Sequence, residues 1–170
     1  MTGVRIIDDF LDKDKFEELQ HMVNVTHWSD TNHTLWSEEL YEGDNKVDMT
    51  PIKPLQFVVD KFDEPYEQFA NMLWYRYHPG SYILFHVDSG HNNMYNYGFT
   101  LYLNNIWDRN WGGQLLYGED SFVSPKPNRC VIMDRTTPHA VARTSWTAPY
   151  RMCLQGWILN GTRNQYDFDK

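Results

Sequence analysis

Apolar positions near the start of the chain recur at helical spacing. Between Asp12 and Val23, Phe16, Leu19, Met22 and Val23 share one side while Glu17, Glu18 and Gln20 take the other, which predicts an amphipathic helix. Pro51 to Ala70 reads as a second helix, opened by a proline near its first turn and broken or kinked around Pro65. The intervening stretch, Ser29 to Met49, is polar with Trp36, Leu40 and Tyr41 interspersed, and fits either a mobile flap or a hairpin. From Met72 onward the texture changes to short apolar runs separated by turn residues. These predict strands at 72–78, 81–87, 97–104, 113–117, 121–124, 129–134, 139–143 and 150–158. Breaks fall at Pro79-Gly80, Asn92-Asn93, Asn104-Asn105, Gly112-Gly113, Pro125 to Pro127, Thr136 to Pro138 and Thr147 to Pro149. The pattern is mainly β with N-terminal α-helices. It predicts a double-sheet jelly roll with the helices packed on one outer face.

At 170 residues the chain reads as one domain, residues 1–170, long enough to bury a core without staples. Residues 1–71 would form a helical support and a candidate flap, and 72–158 the jelly-roll core. Seven Trp and 11 Tyr suit strands and a walled cavity, although a dense core explains them equally well. A formal net charge of −8 and the lack of any basic run argue against gripping a phosphate backbone. The two cysteines, Cys130 and Cys153, lack metal-type spacing and read as buried small hydrophobes rather than a disulfide. No stretch approaches the roughly 20 apolar residues of a spanning helix, and Met1 to Phe10 carries Asp8 and Asp9 rather than a signal-like segment. Glycosylation-like triplets at Asn24, Asn32 and Asn160 are attributed to chance. The expectation is a soluble, cytoplasmic protein without nucleic-acid or membrane partners, a monomer or weak homodimer, with a tail after Gly161 that frays.

The chemistry concentrates in His86-Val87-Asp88, answered by His139 and then by Arg151. Two imidazoles and a carboxylate are the donor set that holds a non-haem Fe(II) on one face and leaves its other positions open. A chain with 7 His and 23 acidic residues in 170 supplies about one His-x-acid pair by accident, so context must carry the reading. Residues two apart on a strand share a face, so His86 and Asp88 can both enter a cavity. The run before them, Tyr82-Ile83-Leu84-Phe85, is apolar on both faces, as expected of a strand between a cavity and an outer core. Polar groups at its end need partners, and a metal satisfies both. His139 follows Pro138 where another strand begins; a half-exposed turn histidine is the plainer alternative. His91, in a Gly/Asn loop, is the rival ligand. In 150–158, alternation puts Tyr150, Met152, Leu154 and Ile158 on one face and Arg151, Cys153, Gln155 and Trp157 on the other. An inward arginine requires a counter-anion, either a free dicarboxylate or a structural partner such as Asp134.

These residues resemble a known family, the Fe(II)- and 2-oxoglutarate-dependent dioxygenases, specifically the prolyl hydroxylase branch, over about Arg76 to Ile158. Arg76-Tyr77-His78-Pro79-Gly80 is similar to the family's R-Y-x-P-G turn, followed by His86-Val87-Asp88. Thr100 to Asn104 resembles its Y-L-N strand, Trp111 to Leu115 its G-G-x-L turn, Asp134 to Val141 its D-R-x-x-P-H-x-V segment, and Arg151 to Trp157 its R-x-x-x-x-x-W strand. The resemblance implies a double-stranded β-helix, cupin-like core. It implies Fe(II) ligation by His86, Asp88 and His139, with Arg151 and Tyr102 on the distal carboxylate of 2-oxoglutarate. Tyr77 would be a further pocket tyrosine, with Thr100 and Trp157 lining the wall. Asp88 argues for hydroxylation over halogenation, because halogenating relatives replace that carboxylate with a small residue. Two features depart from the pattern: the His139 to Arg151 interval is longer than usual, and the N-terminal third aligns with nothing.

The implied reaction uses Fe(II), 2-oxoglutarate and O2, with ascorbate as reductant, and hydroxylates prolyl residues in a peptide or protein. Tyr82, His91, Trp111 and Arg135 are the candidate substrate contacts. Trp36, Trp107 and Trp111 would suit stacking on proline rings at the mouth, with rim or core packing as the alternative. Two rival functions are hydroxylation of a free amino acid or another side chain, and a metal-binding jelly roll without turnover. The second should lack a dicarboxylate anchor.

Overall fold

Alternation along the long strands decides the architecture. The computed structural model describes residues 3–31, 45–64, 66–88 and 95–159. Its elements run β1 (Val4–Ile7), α1 (Lys13–Asn24), β2 (Asp30–Thr31), β3 (Val47–Ile52), α2 (Gln56–Val59), β4 (Phe69–Tyr77), β5 (Ile83–His86) and β6 (Tyr95–Tyr102). Then follow β7 (Leu115–Tyr117), β8 (Ser121–Val123), β9 (Cys130–Asp134), β10 (His139–Val141) and β11 (Arg151–Leu159). A seven-stranded sheet has the order β1-β9-β6-β11-β4-β3-β2, and a four-stranded sheet the order β5-β10-β7-β8. All pairings are antiparallel. The expected mainly-β, two-sheet fold with helices on the larger sheet is what forms.

On the larger sheet, one set of side chains (Met72, Trp74, Tyr97, Phe99, Leu101, Cys130, Ile132, Leu154 and Ile158) faces outward. They meet Leu19 and Val23 of α1, Val58 and Val59 of α2, and Phe10, Leu11 and Phe62. The alternate set (Val47, Met49, Leu73, Tyr75, Tyr77, Tyr102, Val131, Met133 and Cys153) faces the smaller sheet, where Ile83, Leu115, Val123 and Val141 close the interior. Both cysteines are buried and free, one in each layer, as expected. The period-2 pattern of each strand thus builds two cores at once. Among the described residues, no helix is long and apolar enough to cross a membrane.

All eight strands expected after residue 72 form, and so does the first helix. The helix expected over 51–70 does not. Val47 and Met49 alternate inward with Asp48 and Thr50, so this stretch becomes β3 and extends through Pro51, which pairs with Leu73. Pro51 lies beyond the two residues of β3 that β2 covers, where a missing N–H is tolerated. Only one α-turn and the 3₁₀ turns at Asp60–Phe62 and Tyr66–Gln68 remain of the helix, with Asp63 at φ 53 between them. The N-terminal third therefore contributes three strands to the larger sheet as well as helical support. The described ends of 29–49 pair as β2 and β3, the hairpin alternative. Residues 32–44, with Trp36, and the tail after Gly161 lie outside the described residues.

Candidate active site

His86 ends β5 and His139 begins β10, and the two are direct cross-strand partners. Between this pair and Val141↔Ile83 the register slips, with three residues on β5 spanning two on β10. Such a bulge turns both Ile83 and His86 to the interior, although they are three apart. It also exposes Leu84 (38%) and Phe85 (54%), so among the described residues no outer core covers this strand. Asp88 joins the histidines from the bend after β5 rather than by strand alternation.

The three side chains converge. Asp88 Oδ1 lies 3.5 Å from His86 Nε2 and 3.8 Å from His139 Nε2. The imidazole centroids are 4.3 Å apart. All three potential ligand atoms lie within 4.8 Å of one another. Each imidazole has its Nδ1 against a backbone carbonyl, that of Leu84 for His86 and of Thr137 for His139, both at 2.9 Å. Donation from Nδ1–H leaves the Nε2 lone pairs aimed into the cluster, as metal ligation requires. Asp88 Oδ2 accepts the indole N–H of Trp157 at 3.2 Å.

Electrostatics agree with this arrangement. Burial favours a neutral Asp88, but the hydrogen bond with His86, the charges of His139 and His86, and the Trp157 N–H outweigh it and lower its pKa. Burial also opposes the His86 imidazolium, yet Asp88 and the Leu84 carbonyl raise its pKa overall. His139, chiefly because of burial, is lowered. An anionic carboxylate and two imidazoles on one face fit Fe(II), with the remaining positions left to small ligands.

Farther along the same inward row of β11 lie Gln155, Cys153 and Arg151. Gln155 Nε2 meets Thr100 Oγ1 at 3.3 Å across the β6–β11 pair. Arg151 is 1% exposed. Its Nε donates to the Gly113 carbonyl at 3.0 Å, and its remaining nitrogens contact Tyr102 OH at 3.4 Å and Cys153 Sγ at 3.8 Å. The guanidinium lies 4.5 Å from the ring centroid of Tyr77 and 4.9 Å from that of Tyr102. Among the described residues, no carboxylate pairs with it. Asp134, the alternative partner, instead accepts from the Thr136 N–H and hydroxyl in the turn before His139. The Tyr77 hydroxyl is buried and makes no hydrogen bond among the described residues. Burial raises the pKa of both tyrosines and pushes the Cys153 thiol up to about 11, so all three stay neutral. A buried cation without a carboxylate among the described residues, beside a phenol without a partner there, is a cradle for a carboxylate.

The substrate candidates separate. Arg135 stands in the turn leading to His139, its N–H on the Asn96 carbonyl, near the metal end. Trp111 does not: its carbonyl accepts from Ser145 N–H, Gly112 bridges Thr144, and Gly113 holds Arg151. It therefore belongs to the opposite end of the barrel, with Trp107 packed against it at 5.4 Å. Tyr82 points outward because Ile83 points in, and its ring lies 4.1 Å under the Arg143 guanidinium. It lines a groove on the outer face of the smaller sheet with Leu84, Leu116, Ala140 and Ala142. His91 lies outside the described residues. Gln155, Cys153 and the Gly113 carbonyl join the site without standing among the expected site residues. The inward alternation of β11 marks the first two, while the third depends on a loop path that no periodicity encodes.

Residues 72–159 match the family model of the 2OG-Fe(II) oxygenase superfamily. No curated protein matches the chain. Among solved structures, the fold is similar to a Pseudomonas putida prolyl-4-hydroxylase, at 20% identity and a TM-score of 0.71, covering 95% of each chain. It is also similar to a Trichoplax adhaerens prolyl hydroxylase in complex with a hypoxia inducible factor oxygen degradation domain peptide fragment. That match has 16% identity, a TM-score of 0.70, and covers 94% of this chain and 84% of that one. A viral collagen prolyl hydroxylase from Paramecium Bursaria Chlorella virus-1 matches at 16% identity and TM-score 0.63, covering 92% of this chain and 96% of that one.

Proposed function

The chain belongs to the 2OG-Fe(II) oxygenase superfamily, and from that premise we propose that it hydroxylates prolyl residues in a peptide or protein. In this reading 2-oxoglutarate and O2 are consumed, one oxygen atom enters a substrate C–H bond, and the other appears in succinate as CO2 is released. The observation that carries the co-substrate assignment is the Arg151 cradle: a buried cation that, among the described residues, has no carboxylate, beside a buried Tyr77 hydroxyl that has no hydrogen-bond partner there. A metal-binding module without turnover has no use for such a site.

Each residue then has a task. His86, Asp88 and His139 hold Fe(II), and the bound iron supplies the redox chemistry with O2 and the 2-oxo acid. Arg151 takes the distal carboxylate through the fork that Gly113 orients. Tyr102 and Tyr77 donate hydroxyl protons to the same carboxylate. Thr100 and Gln155 line the passage between anchor and triad. Arg135, in the turn before His139, is the candidate contact for a peptide. The prolyl assignment draws on fold likeness to prolyl hydroxylases, one of them solved with a peptide.

The test is incubation with Fe(II), 2-oxoglutarate, ascorbate and a panel of proline-containing peptides, following succinate and a one-oxygen mass gain. Proline-dependent succinate with hydroxylated peptide is expected. Absence of succinate under every condition, or full turnover by His139→Ala, would sink the proposal. Mass gain on another side chain or a free amino acid would redirect the substrate alone.

A further inference from the structure

Asp88 presents its two oxygens to different partners. Oδ1 faces both imidazoles, at 3.5 and 3.8 Å, while Oδ2 lies 3.2 Å from the indole nitrogen of Trp157. We propose that Trp157 is a positioning residue for the metal: its N–H holds Oδ2 and leaves Oδ1 as the carboxylate oxygen turned toward His86 and His139. The inference rests on the triad holding a metal and is independent of the substrate's identity.

Three features of the chain support it. Asp88 lies in a bend beyond the β5 ladder, so sheet register does not orient its carboxylate. Trp157 lies on β11, paired with Gly98 of β6 on one side and Asn71 of β4 on the other, so the indole is anchored by the sheet. An indole N–H is a donor only, so it can bind the carboxylate without competing for the metal. Gly98 completes the arrangement. A Cβ there would stand 3.4 Å from Asp88 Oδ2 and 3.5 Å from Trp157 Nε1. A methyl fits at ordinary contact distance, but a branched side chain would enter the line between donor and acceptor. A carboxylate free to use both oxygens would occupy an extra position on the metal. Holding one oxygen keeps that position open for the 2-oxo acid or O2.

The experiment titrates the metal-free protein with Co(II) alone and follows the visible d–d absorption, which reports coordination number as well as occupancy. Trp157→Phe removes the donor and keeps the aromatic bulk. It should bind Co(II) roughly ten- to a hundredfold more weakly than the unaltered chain, with a changed band shape. Gly98→Val should reproduce the loss and Gly98→Ala should not, with thermal unfolding of each metal-free variant confirming an intact fold. Equal affinity and an identical spectrum in Trp157→Phe would overturn the proposal. If that variant does not fold, an unaltered titration of Gly98→Val does so instead. An unaltered chain without d–d bands would remove the metal reading of the triad, and this inference with it, an outcome distinct from normal binding in the variants.

Discussion

The guanidinium of Arg151 lies 4.5 Å from the ring centroid of Tyr77, whose buried hydroxyl makes no hydrogen bond among the described residues. Among the described residues Arg151 has no carboxylate and the Tyr77 hydroxyl no hydrogen-bond partner, and an incoming carboxylate would serve both. Interactions that strain the unliganded state while serving the liganded one make opposite predictions for stability and function.

Arg151→Met tests the cation. Truncating one partner of a buried charge pair weakens binding by roughly 2–5 kcal/mol, about thirtyfold or more in affinity. The KM for 2-oxoglutarate should therefore rise at least thirtyfold. The metal-free variant should melt no lower than the unaltered chain, because an uncompensated buried charge has been removed. Steady-state kinetics and a thermal melt check both halves. A large loss of stability would identify Arg151 as a structural cation.

Tyr77→Phe tests the hydroxyl alone. Leaving a buried polar group unsatisfied costs about 1–3 kcal/mol, so its removal should leave the melting temperature of the metal-free protein unchanged or higher. The KM for 2-oxoglutarate should increase by about tenfold, the worth of one hydrogen bond to a charged group. An unchanged KM would place the hydroxyl outside the carboxylate's reach.

Much of this was legible in the chain. Most strands from residue 72 onward alternate, and β11 displays its inward row, Arg151, Cys153, Gln155 and Trp157, before its register shifts after Trp157. The triad could be assembled because two of its members flank strand ends that pair directly. The failures share a physical origin. The bulge at the end of β5 reverses the faces of Tyr82 and Leu84, since one extra residue flips everything before it. The position of Trp111 is not legible because the direction of the loop before β7 depends on Gly112 and Gly113, both at φ +70, and on contacts with Thr144 and Ser145 some thirty residues away. Pro51 and Ile52, the end of β3, pass for the opening of a helix because their partners Leu73 and Met72 are distant in sequence, and pairing rather than propensity decides them.

Asp8 supplies a pH-dependent contact on the other side of the molecule. Its carboxylate accepts from Arg129 at 2.6 and 3.0 Å and from Lys126 at 2.8 Å, and hydrogen bonding to Arg129 above all holds its pKa well below the usual range. A depressed folded-state pKa stabilises above the unfolded value near 3.9, and that stabilisation fades as pH falls through the folded value. The pair is partly exposed, so its worth is limited to about 1 kcal/mol or less. Asp8→Asn should lower the melting temperature slightly at neutral pH, with the difference narrowing from about pH 5 toward pH 2. A difference that widens in acid would contradict the sign.

Anchor and metal can be separated by a ligand that keeps one and gives up the other. Glutarate carries the distal carboxylate of 2-oxoglutarate but lacks the keto oxygen, so it cannot chelate a metal through that group. If the Arg151 cradle binds a carboxylate on its own account, glutarate should raise the melting temperature of the chelator-treated protein. A ligand at 100 times its Kd stabilises by about 2.7 kcal/mol. The shift should vanish in Arg151→Met and persist in His139→Ala, because Arg151 lies at the start of β11 while Trp157, which holds Asp88 of the triad, lies near its far end. Dependence on both residues would mean that the anchor forms only around a bound metal. Persistence in Arg151→Met would locate the dicarboxylate elsewhere.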